Sequence, residues 1–175
     1  MRGRKWGLVY HFSKFVWDTP NFLIKNDQND KEAEKMAFIS SFMYSLDTKK
    51  RILVPNKYRD ELGETFYVTR SLDTCLTIYT ESEWELFLKG LSELPNTTSA
   101  AAKEYFMSAA QKCTPDGSGR ILLDDKLIDH ARIGKNAVFV GAGNAINIWS
   151  EELWAAREAS RDLEGIRALL QQHGL

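Results

Sequence analysis

Short apolar runs, separated by charged or glycine-bearing turns, recur in the same order twice along the chain. Residues 47–84 read DTKKRILVPNKYRDELGETFYVTRSLDTCLTIYTESEW, and residues 116–154 read DGSGRILLDDKLIDHARIGKNAVFVGAGNAINIWSEELW. Asp47 matches Asp116, Arg51 matches Arg120, and Ile52-Leu53-Val54 matches Ile121-Leu122-Leu123. Lys57 matches Lys126, Gly63 matches Gly134, Leu76–Thr80 matches Ile146–Ser150, and Trp84 matches Trp154. One such match arises by chance; an ordered series marks an internal repeat.

Each copy predicts the same elements. A lead-in strand (Phe38–Leu46, then Ala109–Thr114) is followed by a tight turn over Asp-x-x-x-Arg and a second strand (Arg51–Val54, then Arg120–Leu123). A short helical turn (Lys57–Leu62, then Lys126–Ala131) stops near Gly63 or Gly134, where a residue free to take positive φ ends a helix. Two strands rich in β-branched and aromatic residues follow: Phe66–Arg70 and Leu76–Tyr79, then Ala137–Val140 and Ile146–Trp149. Thr80 with Glu83 opens a helix over Ser82–Leu91, and Ser150 caps one that extends to about Gln172. Leu94–Ser99 reads as a linker and Ala100–Phe106 as a short helix. The expected organisation is an N-terminal extension over 1–35, a first unit over 36–92, a linker with a short helix over 93–107, and a second unit over 108–175. The fold class is α+β and β-rich.

Composition narrows the chemistry. Hydrophobic residues make up 43% and charged residues 27% of the 175, which supplies a core without metal or disulfide staples. Cys75 and Cys113 form no CxxC pair and are read as buried thiols in a reducing compartment. No apolar run approaches the roughly 18–20 residues of a membrane span, so a cytoplasmic protein with no membrane partner is expected. The three histidines fall in no catalytic pattern, and GxSxG, P-loop and HExxH motifs are missing, so neither an enzyme nor a small-molecule substrate or cofactor is expected. Asp124-Asp125 is read as a helix cap rather than a metal pair, and Gly141-Ala142-Gly143 as a hairpin turn. Net charge is −1, from 23 basic and 24 acidic residues, so any polyanion contact has to come from a local patch.

One such patch is visible. Lys49, Lys50 and Arg51 lie in the first turn, with Lys57 and Arg59 just beyond. Turns reach solvent, and Lys and Arg there can neutralise phosphates or read a guanine edge. Asp47 is placed to brace Arg51 and so to lower the entropy lost on docking. A charged turn between strands is more often simply solvated; the recurrence of Asp-x-x-x-Arg as Asp116 and Arg120 shifts that balance. The second turn lacks the lysines and precedes Asp124, Asp125 and Asp129, so the first is expected to contribute more affinity.

These motifs resemble the MraZ family of bacterial transcription regulators, whose two halves are AbrB-like. The resemblance rests on the paired Asp-x-x-x-Arg turns, on Arg-Ile-Leu-Val-Pro, on Thr-Arg-Ser-Leu-Asp-Thr-Cys-Leu, and on Gly-Ala-Gly-Asn with Ile-Trp-Ser. It implies an intertwined swapped-hairpin barrel, ring-shaped homo-oligomers, and nucleoid-associated binding to double-stranded promoter DNA at short direct repeats. It further implies repression of a division and cell-wall gene cluster. Arg51 is the leading DNA contact, oriented by Asp47; Lys49 and Lys50 are phosphate or groove contacts; Asp116 and Arg120 carry over less directly. The family usually has Gly where Lys50 stands; if that position needs φ > 0, lysine there costs about 1 kcal/mol relative to Gly and the first turn differs in shape. Pro55 gives way to Asp124 in the second copy.

Residues 1–35 have no counterpart in the repeat, and Met36 is expected to be the initiator, after a Lys31-Glu32-Ala33 segment whose codons can hold a ribosome-binding sequence; the alternative is a genuine extension that packs on the ring or contacts DNA through Arg2, Arg4 and Lys5. The rival expectation is an antitoxin-like or partner-binding AbrB-type module, with Trp84, Leu86, Phe87, Trp154 and Leu169-Leu170 forming a protein-binding face.

Overall fold

Every strand pairing among the described residues is antiparallel, and four of the six join one copy of the repeat to the other. The structure, a computed structural model, describes residues 38–174. The expectations for residues 1–35 and Met36 lie outside the described residues.

The first copy contributes β1 (Ser41–Ser45), β2 (Arg51–Leu53), α1 (Asn56–Leu62), β3 (Phe66–Arg70), β4 (Leu76–Thr80) and α2 (Glu81–Ser92). After α3 (Asn96–Met107), the second contributes β5 (Gln111–Cys113), β6 (Arg120–Leu122), α4 (Asp125–Ala131), β7 (Asn136–Gly141), β8 (Ile146–Ser150), α5 (Glu151–Ala159) and α6 (Leu163–Gln172). The class is α+β. No helix among the described residues is long and apolar enough to cross a membrane.

Six strands form one sheet in the order β1-β7-β8-β4-β3-β5. The hairpins β3–β4 and β7–β8 meet at β4–β8, with Thr77 opposite Asn147. Each lead-in strand then crosses to the other copy: β1 lies on β7, with Phe42 opposite Phe139, and β5 lies on β3, with Phe66 opposite Cys113. The remaining strands, β2 and β6, pair only with each other as a two-stranded ribbon. The expected barrel does not close. β1 and β5 are the two ends of the larger sheet, and the chain leaves each of them for the separate ribbon instead of joining the edges.

The ribbon is anchored by one residue from each strand. Ile52 faces Ile121 across the pair, and both are buried. Side chains alternate along a strand, so burying the central isoleucines turns Arg51, Leu53, Arg120 and Leu122 outward. Each buried isoleucine contributes about 1.5–3 kcal/mol, so the outward register of the arginines is set by the core. Val54, Leu123, Leu127, Phe66, Leu76, Ile78, Phe139, Ile146 and Ile148 complete that core. Tyr58 pins α1 to the start of β1: Phe38 and Phe42 meet its ring edge-on, and its hydroxyl donates to the Ser40 carbonyl. Cys75 and Cys113 are free and buried, and burial pushes both thiols up to about 12.

Two helix boundaries and one helix cap depart from expectation. The helix opened by Ser150 stops at Ser160, and Asp162 caps a new one by accepting from the Gly165 amide at 2.8 Å. The expected linker at Leu94–Ser99 is largely helical, because α3 starts directly after Pro95, whose carbonyl accepts from Ser99 N–H. Finally, α4 ends at Ala131 as expected, but its left-handed cap is Arg132 at φ 51°, two residues before the Gly134 expected to stop it. Gly63 at φ 78° closes α1, so Arg132 is its structural counterpart. Asp124 does hold the N-cap position of α4, as Pro55 does for α1, but its side chain makes no cap hydrogen bond.

Candidate nucleic-acid interface

The two Asp-x-x-x-Arg turns are built alike. In the first, Asp47 Oδ1 accepts from the Lys49 amide at 2.8 Å and the Arg51 amide at 2.9 Å. In the second, Asp116 Oδ1 accepts from Ser118 at 2.9 Å and Arg120 at 3.0 Å. The backbone closes each with the same two bonds: Asp47 N–H to Arg51 carbonyl and Lys50 N–H to Asp47 carbonyl, repeated as Asp116 to Arg120 and Gly119 to Asp116. This is a three-residue loop ending in a left-handed residue, a geometry that aspartate supports through its own side chain. The left-handed residue is Lys50 at φ 60° in one turn and Gly119 at φ 77° in the other. Lysine therefore does occupy the strained position. The amides aimed at each aspartate, foremost those of Arg51 and Arg120, hold both carboxyls below the usual range.

Above the turns the side chains cross over. Asp47 Oδ2 accepts from Arg51 Nε at 2.8 Å and pairs with Nη2 at 2.8 Å, so the expected brace within the first turn is present. Arg51 Nη1 also reaches Asp116 Oδ2 at 3.5 Å. Arg120, in contrast, makes no ion pair with its own Asp116 among the described residues; its Nη1 lies 3.8 Å from Asp47 Oδ2. The four motif residues thus form one cluster spanning β2 and β6. Cross-strand backbone bonds lock the turns side by side: Val54 N–H donates to Gly119 carbonyl and Leu123 N–H to Lys50 carbonyl, each at 3.0 Å. Both arginines remain partly open, with 34% of the Arg51 side chain and 43% of Arg120 exposed.

The other expected site residues divide. Lys49 is exposed, with no ion pair among the described residues. Lys50 is exposed but paired with Asp125 at the start of α4. Lys57 bonds to Ser40 at 3.4 Å and makes no described contact with either turn. Arg59 lies over Gly119 of the second turn and donates to Asn56. Sequence reasoning missed Asn56 and Asp125, which occupy equivalent places at the starts of α1 and α4; the signal was their shared spacing of five residues beyond Arg51 and Arg120. A shallow groove of about 450 Å³ opens beside the ribbon among Lys50, Leu122, Asp125 and Lys126. No cluster of His, Cys, Asp or Glu that suits a metal exists among the described residues.

The residues of the rival expectation divide evenly between internal packing and exposure, with Trp154 tilted against Trp149 at 6.2 Å. Trp84 is buried, stacked on Tyr67 at 5.2 Å, and Phe87 stacks on Tyr79 at 5.3 Å. Leu86, Leu169 and Leu170 are exposed.

Fold and site together define a tandem α+β protein in which two interleaved copies present a paired aspartate–arginine ribbon. A family model described as "MraZ protein, putative antitoxin-like" matches residues 37–104 and 106–167. Three similar proteins, each named "Transcriptional regulator MraZ", come from Clostridium acetobutylicum, Lachnoclostridium phytofermentans and Natranaerobius thermophilus. The first is 37% identical over 141 residues, 79% of this chain and 99% of the relative. The second is 44% identical over 118 residues, 67% and 84% of the two chains. The third is 40% identical over 119 residues, 67% and 83%. The chain belongs to the MraZ family.

Proposed function

We propose that the protein is a sequence-selective, DNA-binding transcription regulator that reads double-stranded promoter DNA with the β2–β6 ribbon. The observation that carries this reading is the shared cluster of Asp47, Arg51, Asp116 and Arg120 on one outward face. A two-stranded ribbon fits the major groove, and arginine forks match the guanine edge. Carboxylates that hold those forks in place reduce the ordering cost of docking. Lys49 and Lys50 supply phosphate contacts at the first turn. Net charge near neutrality argues for modest, salt-sensitive affinity per protomer. A ring-shaped homo-oligomer on direct repeats about 10 bp apart gains avidity by presenting successive ribbons to one face of the duplex. The relatives' name supports regulation of transcription; the proposed target is the chain's own division and cell-wall gene cluster, which it represses.

Binding of the purified protein to DNA upstream of its own gene, against a scrambled duplex at near-physiological salt, tests the reading with Arg51→Ala alongside. Selective binding lost in the variant is expected. Equal, weak binding to both duplexes by a folded oligomer overturns it.

A partner-binding reading is favoured by one observation. Leu163, Ile166, Leu169 and Leu170 line α6 at helical spacing, and all are at least 44% exposed. A stoichiometric protein that copurifies and is lost with Leu169→Glu favours that reading. A homo-oligomer that dissociates in the same variant assigns the stripe to self-assembly.

A further inference from the structure

We propose that Arg59, carried on α1 of the first copy, is the phosphate-contacting cation of the second turn, so that both turns engage DNA with equal charge. The inference rests on the DNA-binding reading and adds the source of the second turn's affinity, which its own sequence lacks.

Two observations combine. First, Gly119 is buried although it sits at the tip of a turn, and Arg59 is what covers it. A Cβ at Gly119 would collide with the Arg59 guanidinium. The missing side chain of Gly119 is therefore the space the guanidinium occupies. Second, the pseudo-two-fold relation shows what stands in the same places at the first turn. Gly119 corresponds to Lys50, Arg59 to Ile128, and Asn56 to Asp125. At the first turn the cation grows from the turn itself and the facing helix offers an isoleucine. At the second, the turn offers empty space and the facing helix sends the cation.

The partners at the helix starts differ as well. Lys50 pairs with the carboxylate of Asp125. Arg59 donates to the neutral Asn56 and has no carboxylate partner among the described residues. At the first turn, Asp47 and Asp125 stand against Lys49, Lys50 and Arg51, leaving one net positive charge. At the second, Asp116 stands against Arg120 and Arg59, leaving one as well. Counted over the side chains that contact each turn, the inequality read from the turn sequences alone disappears.

Each phosphate contact contributes about 0.9 to the slope of log affinity against log salt, equivalent to about fivefold in affinity near 0.15 M salt. The experiment is a salt titration of binding to the upstream DNA by the full chain, with wild type, Arg59→Gln, Arg59→Ile, Gly119→Lys and the double variant Arg59→Ile/Gly119→Lys. Melting temperature and oligomer size are measured in parallel. Arg59→Gln keeps a donor for Asn56 and removes only the charge, so it guards against loss of folding. The expected result is a slope reduced by about 0.9 per protomer in both Arg59 variants and restored in the double variant, which rebuilds the first turn's arrangement. A folded Arg59→Gln with wild-type slope and affinity overturns the inference while leaving the DNA-binding reading intact. A folded wild type that does not select the upstream DNA removes that reading, and this inference with it.

Discussion

Arg120 pairs with Asp47, 3.8 Å away in the other copy's turn, and not with the aspartate four residues before it. Asp47 consequently pairs with two guanidiniums, its own Arg51 at 2.8 Å and the borrowed Arg120 at 3.8 Å, whereas the one guanidinium within 4 Å of Asp116 among the described residues is that of Arg51, at 3.5 Å.

Removing the two aspartates should therefore have unequal effects. Asp47→Ala is expected to weaken the proposed binding to upstream DNA by about tenfold, the scale of one lost charge-assisted hydrogen bond, and Asp116→Ala by distinctly less. Asp47→Ala and Arg120→Ala should be non-additive, since each removes one end of the same contact. Equilibrium binding by the two single variants and the double decides this; additive losses would show that Arg120 acts independently of Asp47.

Acid should dismantle both turns together. Asp47 and Asp116 are held below the usual carboxylate range, chiefly by the amides of Arg51 and Arg120. A carboxylate depressed in the folded state adds stability that is complete above its unfolded value of about 3.9 and is lost as pH falls through the folded value. The melting temperature difference between wild type and Asp47→Asn should be constant from about pH 5 to 8 and shrink below about pH 4. A difference that persists undiminished into stronger acid would show that Asp47 acts through packing.

Backbone strain at the helix ends predicts substitutions of opposite sign. Arg132 ends α4 at φ 51° with its side chain exposed, so Arg132→Gly should stabilise by about 1 kcal/mol. In a domain of this size that raises the melting temperature by about 2–4 °C. Gly63 ends α1 at φ 78° and ψ −167°, a region reserved for glycine, with open space around it. Gly63→Ala should cost about 1–3 kcal/mol from the backbone alone. Thermal melts of the two variants check both signs.

The thiols should be silent in the native state. Cys75 and Cys113 are buried, and their thiols are pushed up to about 12, so almost no thiolate exists near neutrality. An aromatic disulfide reagent should label neither in native protein and both in denaturant. Rapid labelling of the folded chain would place them in a segment that opens readily.

Local chemistry in the sequence foretold much of this. The run Phe66–Arg70 is a strand with the expected bounds, and Ser150 and Thr80 cap the helices expected of them. Both turns were legible because Asp-x-x-x-Arg carries its own hydrogen-bond logic. Three features were not. Ser160-Arg161-Asp162 reads as one polar turn of a continuous helix, and only the bond from Gly165 to Asp162 shows a new start. Arg132 replaces a glycine at positive φ, and no side-chain preference announces that. The crossing of Arg120 to Asp47 and of Arg59 to Gly119 depends on strand pairing between distant segments, which neither propensity nor periodicity specifies.

The exchanged lead-in strands have an evolutionary corollary. A half-length ancestor with this topology would have completed its sheet only by joining an identical chain, and every substitution in it would have been made twice. A single chain with the two halves joined by α3 carries no such obligation. A lysine at residue 50 no longer demanded one at 119, and an aspartate at 125 no longer displaced the asparagine at 56. A single chain leaves the two faces free to place the same charge on different residues, while the shared sheet ties each half to the other.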